Sequence, residues 1–533
     1  MGSNGHGLEE WRSVFDLIDR RAAATPDAPV VSFDGEELSY AGLRESTLRV
    51  ARWLQGMGVG PGDRVAILLR EASLRYMSFA IGAMRLGAVA LPINARNKAH
   101  ELRYVLEHAE PAVFLAGAEF DDVVAAVECP SGCRLVTVDS TFAIGDDELA
   151  PLAEVEAPAA DVDLDTPALL LYTSGTTARP KGCLISHRAL LGVGVNCTER
   201  LGFGADDRLW TPMTMFHVGG WQALLTAMAG GGALSHPGIF DPDRALAQLE
   251  RERCTHAFPA FELIWLGVLQ APGFATADLT ALRVVINVGG HERLVQMQEK
   301  LPDAIQVSCL GMTESCGSMC MGSPADPLEL RTTTSGRPLA GMELRIIGED
   351  GEELPAGEEG ELTFRGVTAF SGYFRDPEIT AGTVDADGWI RTGDLACVLP
   401  EGPVQFRGRL KDMLKVGGEN VSAPELEDFL ISHPGIAVAA VVGAPDARYG
   451  EVAAAFVKLV PGATVEEDEL IEFCLGKIAT FKVPRYVRVV DTFPTSASDK
   501  IQKFALRETI TVELRERGIT EAPKLVARSA GAS

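Results

Sequence analysis

Residues 169–187 read LLLYTSGTTARPKGCLISH, an apolar run, a loop of small residues and a second apolar run in immediate succession. Ala168, Leu169, Leu170, Leu171 and Tyr172 form a segment short enough to predict a buried strand. Thr173, Ser174, Gly175, Thr176 and Thr177 follow, all small and all but the glycine hydroxylated, and Arg179, Pro180, Lys181 and Gly182 close the loop before Cys183. Glycine lets a backbone approach a ligand closely, and hydroxyls with free N–H groups in a tight turn make an anion cradle. Arg179 and Lys181 place positive charge where phosphate oxygens would sit. The spacing differs from the Walker loop, which runs Gly-x-x-x-x-Gly-Lys-Ser/Thr into a helix. Composition alone also fits a flexible polar surface loop.

The rest of the chain bounds what such a loop can serve. At 533 residues it is too long for one core and predicts about three or four domains or subdomains. Its 46% hydrophobic and 23% charged residues are ordinary for a globular protein. The net charge of −26, from 48 basic and 74 acidic residues, argues against nucleic acid or an anionic membrane as a general partner. Anionic ligands would need local positive islands. The ten cysteines show no paired zinc spacing, since Cys129/Cys133 and Cys316/Cys320 each enclose three residues, so thiols in a reducing cytosol are expected. Residues 1–10 lack the apolar core of a signal peptide, and Arg85 interrupts one of the most hydrophobic windows, so no membrane span is expected and the location is read as cytoplasmic.

Periodicity gives α/β architecture. Val30–Phe33 and Glu37–Tyr40 flank Asp34-Gly35, a hairpin signal, and Val65–Leu69 and Ala112–Leu115 read as buried parallel strands with a helix from Tyr76 to Leu86 between them. From Gly341 the alternation MELRIIGEDGEELPAGEEGELTFRG predicts a small barrel-like β subdomain. Val438–Val442, Ala453–Leu459 and Tyr486–Val490 read as strands of a separate α+β unit.

The string at 169–187 resembles the phosphate loop of the adenylate-forming superfamily: acyl-CoA synthetases, non-ribosomal adenylation domains and firefly-type luciferases. Further motifs follow in that family's order over nearly the whole chain. The resemblance implies a large N-terminal domain, 1–410, of two α/β subdomains plus the β-barrel-like one, and a smaller mobile α+β C-terminal domain, 411–533, hinged at Lys411. It assigns Thr173, Ser174, Gly175, Thr176, Thr177 and Lys181 to the phosphates of ATP. Gly289, Gly290 and His291 fall at the adenine, Thr313 at the phosphates and Glu314 at Mg²⁺, an ion that takes hard oxygen ligands. Thr-Glu after a glycine would otherwise read as a helix N-cap. Asp394 falls at the ribose, where a carboxylate can accept two hydrogen bonds, although a Thr-Gly-Asp string is also an ordinary turn. Arg409 falls near ribose and phosphates, Gly417-Gly418 on the pantetheine path of coenzyme A, and Lys500 at the acyl carboxylate and α-phosphate. Leu310 stands where the family often has an aromatic residue, His291-Glu292 where it often has Ala-Pro, and Asp499 where it commonly has glycine.

His217 lies within WTPMTMFHVGGW, residues 210–221. By composition it would be a satisfied core histidine, whereas the resemblance puts it beside the acyl carboxylate and the coenzyme A tunnel. Relatives that activate amino acids carry an aspartate nearby. No carboxylate lies between Trp210 and Trp221, and an unpaired ammonium is costly in an apolar pocket, so an acid without an α-amino group is expected. The expected acyl wall is His217, Gly219, Gly220, Trp221, Phe258, Gly289, Gly290 and Met312. Its four glycines read as room for a bulky or extended hydrophobic acid, since acetate would bury little surface.

These features together imply an AMP-forming carboxylic acid–CoA ligase using ATP, Mg²⁺ and coenzyme A, with Lys500, Glu314, Thr173, Lys181 and His217 as its catalytic set. A homodimer is compatible with this reading. The alternatives are an adenylating enzyme that passes its acyl group to a carrier-protein thiol or a partner enzyme, a luciferase-type monooxygenase, and a non-catalytic binding protein that keeps the fold.

Overall fold

The computed structural model describes residues 10–33, 35–69, 74–139, 144, 162–173, 180–410, 413–416, 419–495 and 500–525. Two seven-stranded sheets organise the large N-terminal domain. The first runs in the order Gly372–Tyr373, Lys181–Ser186, Pro167–Thr173, Val89–Pro92, Arg64–Leu68, Val113–Gly117, Arg134–Val138. The five strands from Pro167–Thr173 onward are parallel, and Lys181–Ser186 turns back antiparallel along one side. Strands covered on both faces need continuous apolar sequence, and Val113–Gly117 (VFLAG) is buried at every position. The second sheet runs Ile305–Val307, Val284–Val288, His256–Phe261, Arg208–Trp210, Ala233–His236, Pro29–Phe33, Glu36–Ser39. It is parallel throughout except for the hairpin of its last two strands.

The main core lies between the sheets. Helices His187–Leu201 and Val218–Gly230 pack there, and residues of both share one continuous apolar cluster with Ile67, Leu169, Leu209 and Ile286 of the strands. Val218–Gly230 is apolar nearly all round, as a helix enclosed on all sides must be. Separate clusters cover the outer faces, around Phe114 and Leu106 for the first sheet and Trp210 and Trp265 for the second. Each sheet is thus sandwiched by helices.

Three smaller units complete the molecule. Cys309–Met312 and Gly317–Met321 form a hairpin joined by Arg337–Pro338. Met342–Ile347, Glu359–Gly366, Ile390–Val398 and Val404–Arg409 form an antiparallel four-stranded sheet, the β-rich unit expected from the alternation after Gly341. Leu414–Val416, Glu419–Val421, Ile436–Asp446, Gly450–Leu459 and Tyr486–Val489 make the sheet of the smaller C-terminal domain, which has its own core with helices Ala423–Ile431, Glu467–Cys474 and Lys503–Glu516. Among the described residues no helix is long and apolar enough to cross a membrane. All ten cysteines are free thiols.

Candidate active site

Thr173 and Lys181 face each other as the last paired residues of an antiparallel hairpin, so the loop between them is pinned at both stems. Ser174, Gly175, Thr176, Thr177 and Arg179 lie outside the described residues. The chain leaves the loop along a strand rather than a helix, which separates it physically from a Walker loop. Behind the stems, Tyr104 donates its hydroxyl to the Pro180 carbonyl at 3.0 Å, and the Tyr172 hydroxyl lies 2.6 Å from His108 Nδ1. Ser186 then caps helix His187–Leu201 by accepting the Ala189 N–H at 3.2 Å, fixing the second strand against the core.

Glu314 sits in the short turn between Cys309–Met312 and Gly317–Met321. Gly311 is required there, because a side chain on it would meet the Gly317 carbonyl oxygen at 1.7 Å. The Glu314 carbonyl accepts the Phe370 N–H at 2.8 Å, and its Oε1 accepts the Tyr373 hydroxyl at 2.7 Å. The residue is 7% exposed, with its backbone held by Phe370 and its carboxylate oriented by Tyr373. Burial and the adjacent Glu314 push the Tyr373 hydroxyl far above the ordinary phenol range, so it stays a donor. Lys181 Nζ lies 5.0 Å from the centroid of the same tyrosine ring. Cys183, buried beside Thr173 and Glu314, keeps its proton because burial, with Glu314 adding, holds its pKa well up. One tyrosine thus joins the glutamate to the lysine of the phosphate hairpin.

The opposite wall comes from the four-stranded sheet. Asp394 pairs in register with Arg409 on the neighbouring strand, and Arg409 Nε lies 2.7 Å from Asp394 Oδ1. Asp394 is 2% exposed, and burial raises its pKa to about 6 despite the opposing pull of Arg409 and Lys500. Lys500 enters from the C-terminal domain. As a residue it is exposed, but its ammonium lies 5.2 Å from the Phe261 ring centroid, and crowding by protein atoms, then Arg409, lowers its pKa while Asp394 opposes. Phe261 ends a strand with a bulge between Ala257 and Ala260, where Ala260 takes a φ of +62°. A left-handed alanine is strained, and the bulge re-aims the strand end that meets the lysine.

His217 occupies the N-cap position of helix Val218–Gly230, where its side chain makes no capping bond to the first turn. Gln222 of that helix accepts the Ser318 N–H at 2.9 Å and donates to Ser318 Oγ at 2.9 Å, tying the histidine's helix to the hairpin of Glu314. Phe258 is buried and Met312 half-buried. The expected glycine-lined hollow takes a different form. Side chains built on Gly219 and Gly220 would meet Met213 Cε at 2.9 Å and the Thr214 carbonyl oxygen at 2.6 Å. On Gly289 and Gly290 they would meet Glu262 Oε2 at 3.0 Å and Asp428 Oδ1 at 2.3 Å. Each of these glycines thus leaves room for a neighbouring protein group, a backbone carbonyl only at Gly220. Trp221 is fully buried, with Nε1 donating to the Met215 carbonyl at 2.7 Å, so it supports the wall from within the core.

Residues 18–374 match the model of the AMP-binding enzyme family, and residues 425–500 match that of the AMP-binding enzyme C-terminal domain. The chain belongs to the AMP-binding enzyme family. It is 34% identical to a feruloyl-CoA synthase of Amycolatopsis sp. over 92% of this chain and 97% of the relative. It is 33% identical to an octahydroindenyl-propanoyl:CoA ligase of Mycobacterium tuberculosis over 94% and 99% of the two chains. Its structure is similar to ATP-bound MatB from Rhodopseudomonas palustris, at 30% identity, TM-score 0.85, and 93% and 99% coverage. Its reaction is that of the ATP-dependent, AMP-forming acyl-CoA ligases, with ATP, Mg²⁺ and coenzyme A as reactants and cofactor.

This AMP-binding enzyme brings Thr173, Lys181, Glu314, Asp394, Arg409 and Lys500 around one region. Thr313 precedes Glu314 in the same turn. His291 Nδ1 lies 3.0 Å from Thr332 Oγ1, which gives it a partner in the protein. Lys411, Gly417 and Gly418 lie outside the described residues. Glu314 has the chemistry Mg²⁺ takes, a hard carboxylate oxygen, and the Tyr373 hydroxyl orients it. Tyr373 carries no signal in its local sequence beyond the string Gly-Tyr-Phe, and only the fold reveals its hydroxyl on Glu314.

Proposed function

We propose that this ligase activates a bulky or extended hydrophobic carboxylic acid through the residues described above. The observation that carries the reading is Lys500, which the C-terminal domain brings to the Asp394–Arg409 pair of the large domain. A carboxylate oxygen of the acid attacks the α-phosphorus of ATP, the bond to the β-phosphate breaks, and pyrophosphate leaves. Lys500 steadies the acyl carboxylate and α-phosphate, Lys181 and the loop after Thr173 hold the terminal phosphates, and Asp394 orients the ribose. Fixed donors aimed at developing charge are the main source of rate in such transfers. Mg²⁺, when bound at Glu314, neutralises phosphate charge. The C-terminal domain then turns about Lys411, withdraws Lys500 and presents Gly417-Gly418. The coenzyme A sulfur attacks the acyl carbon, AMP leaves, and the thiol proton is lost to solvent.

Buried Phe258 and half-buried Met312, with His217 at the helix end, support an apolar acyl site. The aryl and bicyclic acids named for the two relatives point the same way. Ten free cysteines suit a reducing compartment, and we place the enzyme in the cytoplasm. Pyrophosphate release across a panel from acetate to long-chain, aryl and polycyclic acids, with and without coenzyme A and with products weighed by mass spectrometry, tests this. An aryl, alicyclic or fatty acyl-CoA is expected. A marked preference for acetate overturns the acid class, and adenylate without thioester transfers the second step to a carrier-protein thiol. Lys500→Ala should abolish adenylation, by about 10²–10³-fold; an unchanged rate removes the lysine from the mechanism.

A further inference from the structure

Helix Ala423–Ile431 of the C-terminal domain lies against helix His291–Lys300 of the large domain. Two consecutive residues on it face different ways. Glu427 accepts the Val441 N–H at 2.6 Å and pairs with Lys503 Nζ at 2.6 Å, three residues after Lys500. Asp428 turns to the other domain, where its Oδ1 and Oδ2 lie 3.2 and 3.5 Å from the N–H of Glu292, in the first turn of helix His291–Lys300. The first turn of a helix has unpaired N–H groups and a positive dipole end, and Gly290 at the cap position has no side chain to meet that need. A carboxylate from the other domain meets it instead. Gly290 also makes room for it, since a Cβ there would stand 2.3 Å from Asp428 Oδ1.

Arg293, one residue on, is 5% exposed and donates through Nη2 to the Ala437 carbonyl of the C-terminal domain and through Nη1 to Gln296 at 3.0 Å. Its Nε lies 4.0 Å from Glu262 Oε2. Glu262 is raised in pKa by burial, with Glu427 and Asp428 adding and Arg293 opposing, so this arginine is the counter-charge for acidic groups from both domains. Asp428 is likewise raised by burial and held down chiefly by its bond from Glu292.

We propose that Asp428 and Arg293 form an interdomain latch, with Gly290 as its seat, that positions Lys500 for adenylation. The proposal rests on the adenylation role of Lys500. Asp428 and the Ala437 carbonyl dock on the large domain, Glu427 ties the same helix to Lys503, and Lys500 is thereby set relative to Asp394. A contact made in one domain arrangement and broken in the other shifts the balance toward the first. Asp428 and Arg293 are positioning residues, and their loss acts on one half-reaction.

The test uses the full-length enzyme, the acid that releases pyrophosphate fastest in the panel above, and the synthetic adenylate of that acid. Asp428→Ala and Arg293→Ala should each slow ATP–pyrophosphate exchange by about 10–100-fold, while thioester formation from supplied adenylate and coenzyme A stays within about twofold of wild type or rises. Asp428→Asn, which keeps an acceptor for the Glu292 N–H, should recover most of the loss. Gly290→Ala should slow ATP–pyrophosphate exchange, and the double variant should exchange no more slowly than Asp428→Ala alone. Multiplying losses would place Gly290 at the nucleotide and remove it from the latch. Lys500→Ala in the same assay separates the two readings. If it exchanges normally, the Lys500 assignment falls. If it fails to exchange while Asp428→Ala and Arg293→Ala exchange normally, or if both half-reactions drop together in those variants, the latch falls.

Discussion

Glu314 and Lys500 are held by different means. Glu314 is enclosed in the large domain, with its carbonyl on Phe370 N and its carboxylate on the Tyr373 hydroxyl, and Phe370 and Tyr373 both belong to the main core. Lys500 precedes Ile501, which packs against a second core, and it reaches its partners in the large domain only because the two domains are docked. The Glu314 half of the proposed site is preorganised by packing, so its geometry is as durable as the fold. The lysine half depends on docking, and on the proposed mechanism it is withdrawn without unfolding anything, which a two-step reaction needs.

The sharpest way to break this contrast is Glu314→Gln. The isosteric amide keeps the packing and can still accept from Tyr373, but it loses the charge offered to Mg²⁺. Adenylation measured by pyrophosphate exchange should fall about 10²–10³-fold with little change in thermal unfolding. A loss smaller than that of Asp428→Ala would mean that docking, rather than the preorganised half, limits the first step.

The sequence pointed to residues of both halves, Lys500 included, but not to the contacts that hold them. The hairpin at 167–186, the turn holding Glu314 and the Asp394–Arg409 strand pair each lie in a short string or between strands close in the chain, so local pattern and resemblance together reached them. Tyr373 stayed hidden because its partner is 59 residues away, and Asp428 because its partner is 136 residues away. The glycines are ambiguous in the sequence for a related reason. A Gly-Gly string says that something comes close, but not whether it is a ligand, the Thr214 carbonyl or a carboxylate from another domain. Trp221 sits in a string that reads as pocket wall, yet its indole is consumed by the Met215 carbonyl.

Asp394 sharpens the contrast within the fixed half, because there function and stability oppose each other. Burial raises its pKa to about 6, so the folded state favours the protonated acid. The stability this gives is fully present below the ordinary aspartate pKa near 3.8 and is lost as pH rises through about 6. At neutral pH the ionised carboxylate therefore costs the fold, with Arg409 offsetting part. Asp394→Asn should unfold no earlier than wild type at about pH 7.5, with any advantage vanishing below about pH 4. Its kcat/KM for ATP should nonetheless fall about 10–100-fold, as charge-assisted hydrogen bonds to the ribose are lost. Earlier unfolding at neutral pH would show that the pair with Arg409 outweighs the burial cost.

The smallest expected effect separates orientation from charge. Tyr373→Phe keeps the ring beside Lys181 Nζ and removes only the hydroxyl that donates to Glu314 Oε1. The carboxylate then keeps its charge and its backbone anchor but loses the donor that fixes its rotamer. Partners behind a metal-binding group usually matter by about tenfold, so exchange at limiting Mg²⁺ should fall by about that factor. Because the defect is one of affinity, raising Mg²⁺ should restore most of the rate, whereas Glu314→Gln should not recover. Thioester formation from supplied adenylate should be untouched, as should the dependence on Asp428. If excess Mg²⁺ leaves Tyr373→Phe impaired, the hydroxyl acts on the phosphates or on Lys181 instead. The fixed half would then be one coupled unit running from Glu314 to the phosphate hairpin, with Tyr373 as its centre rather than its support.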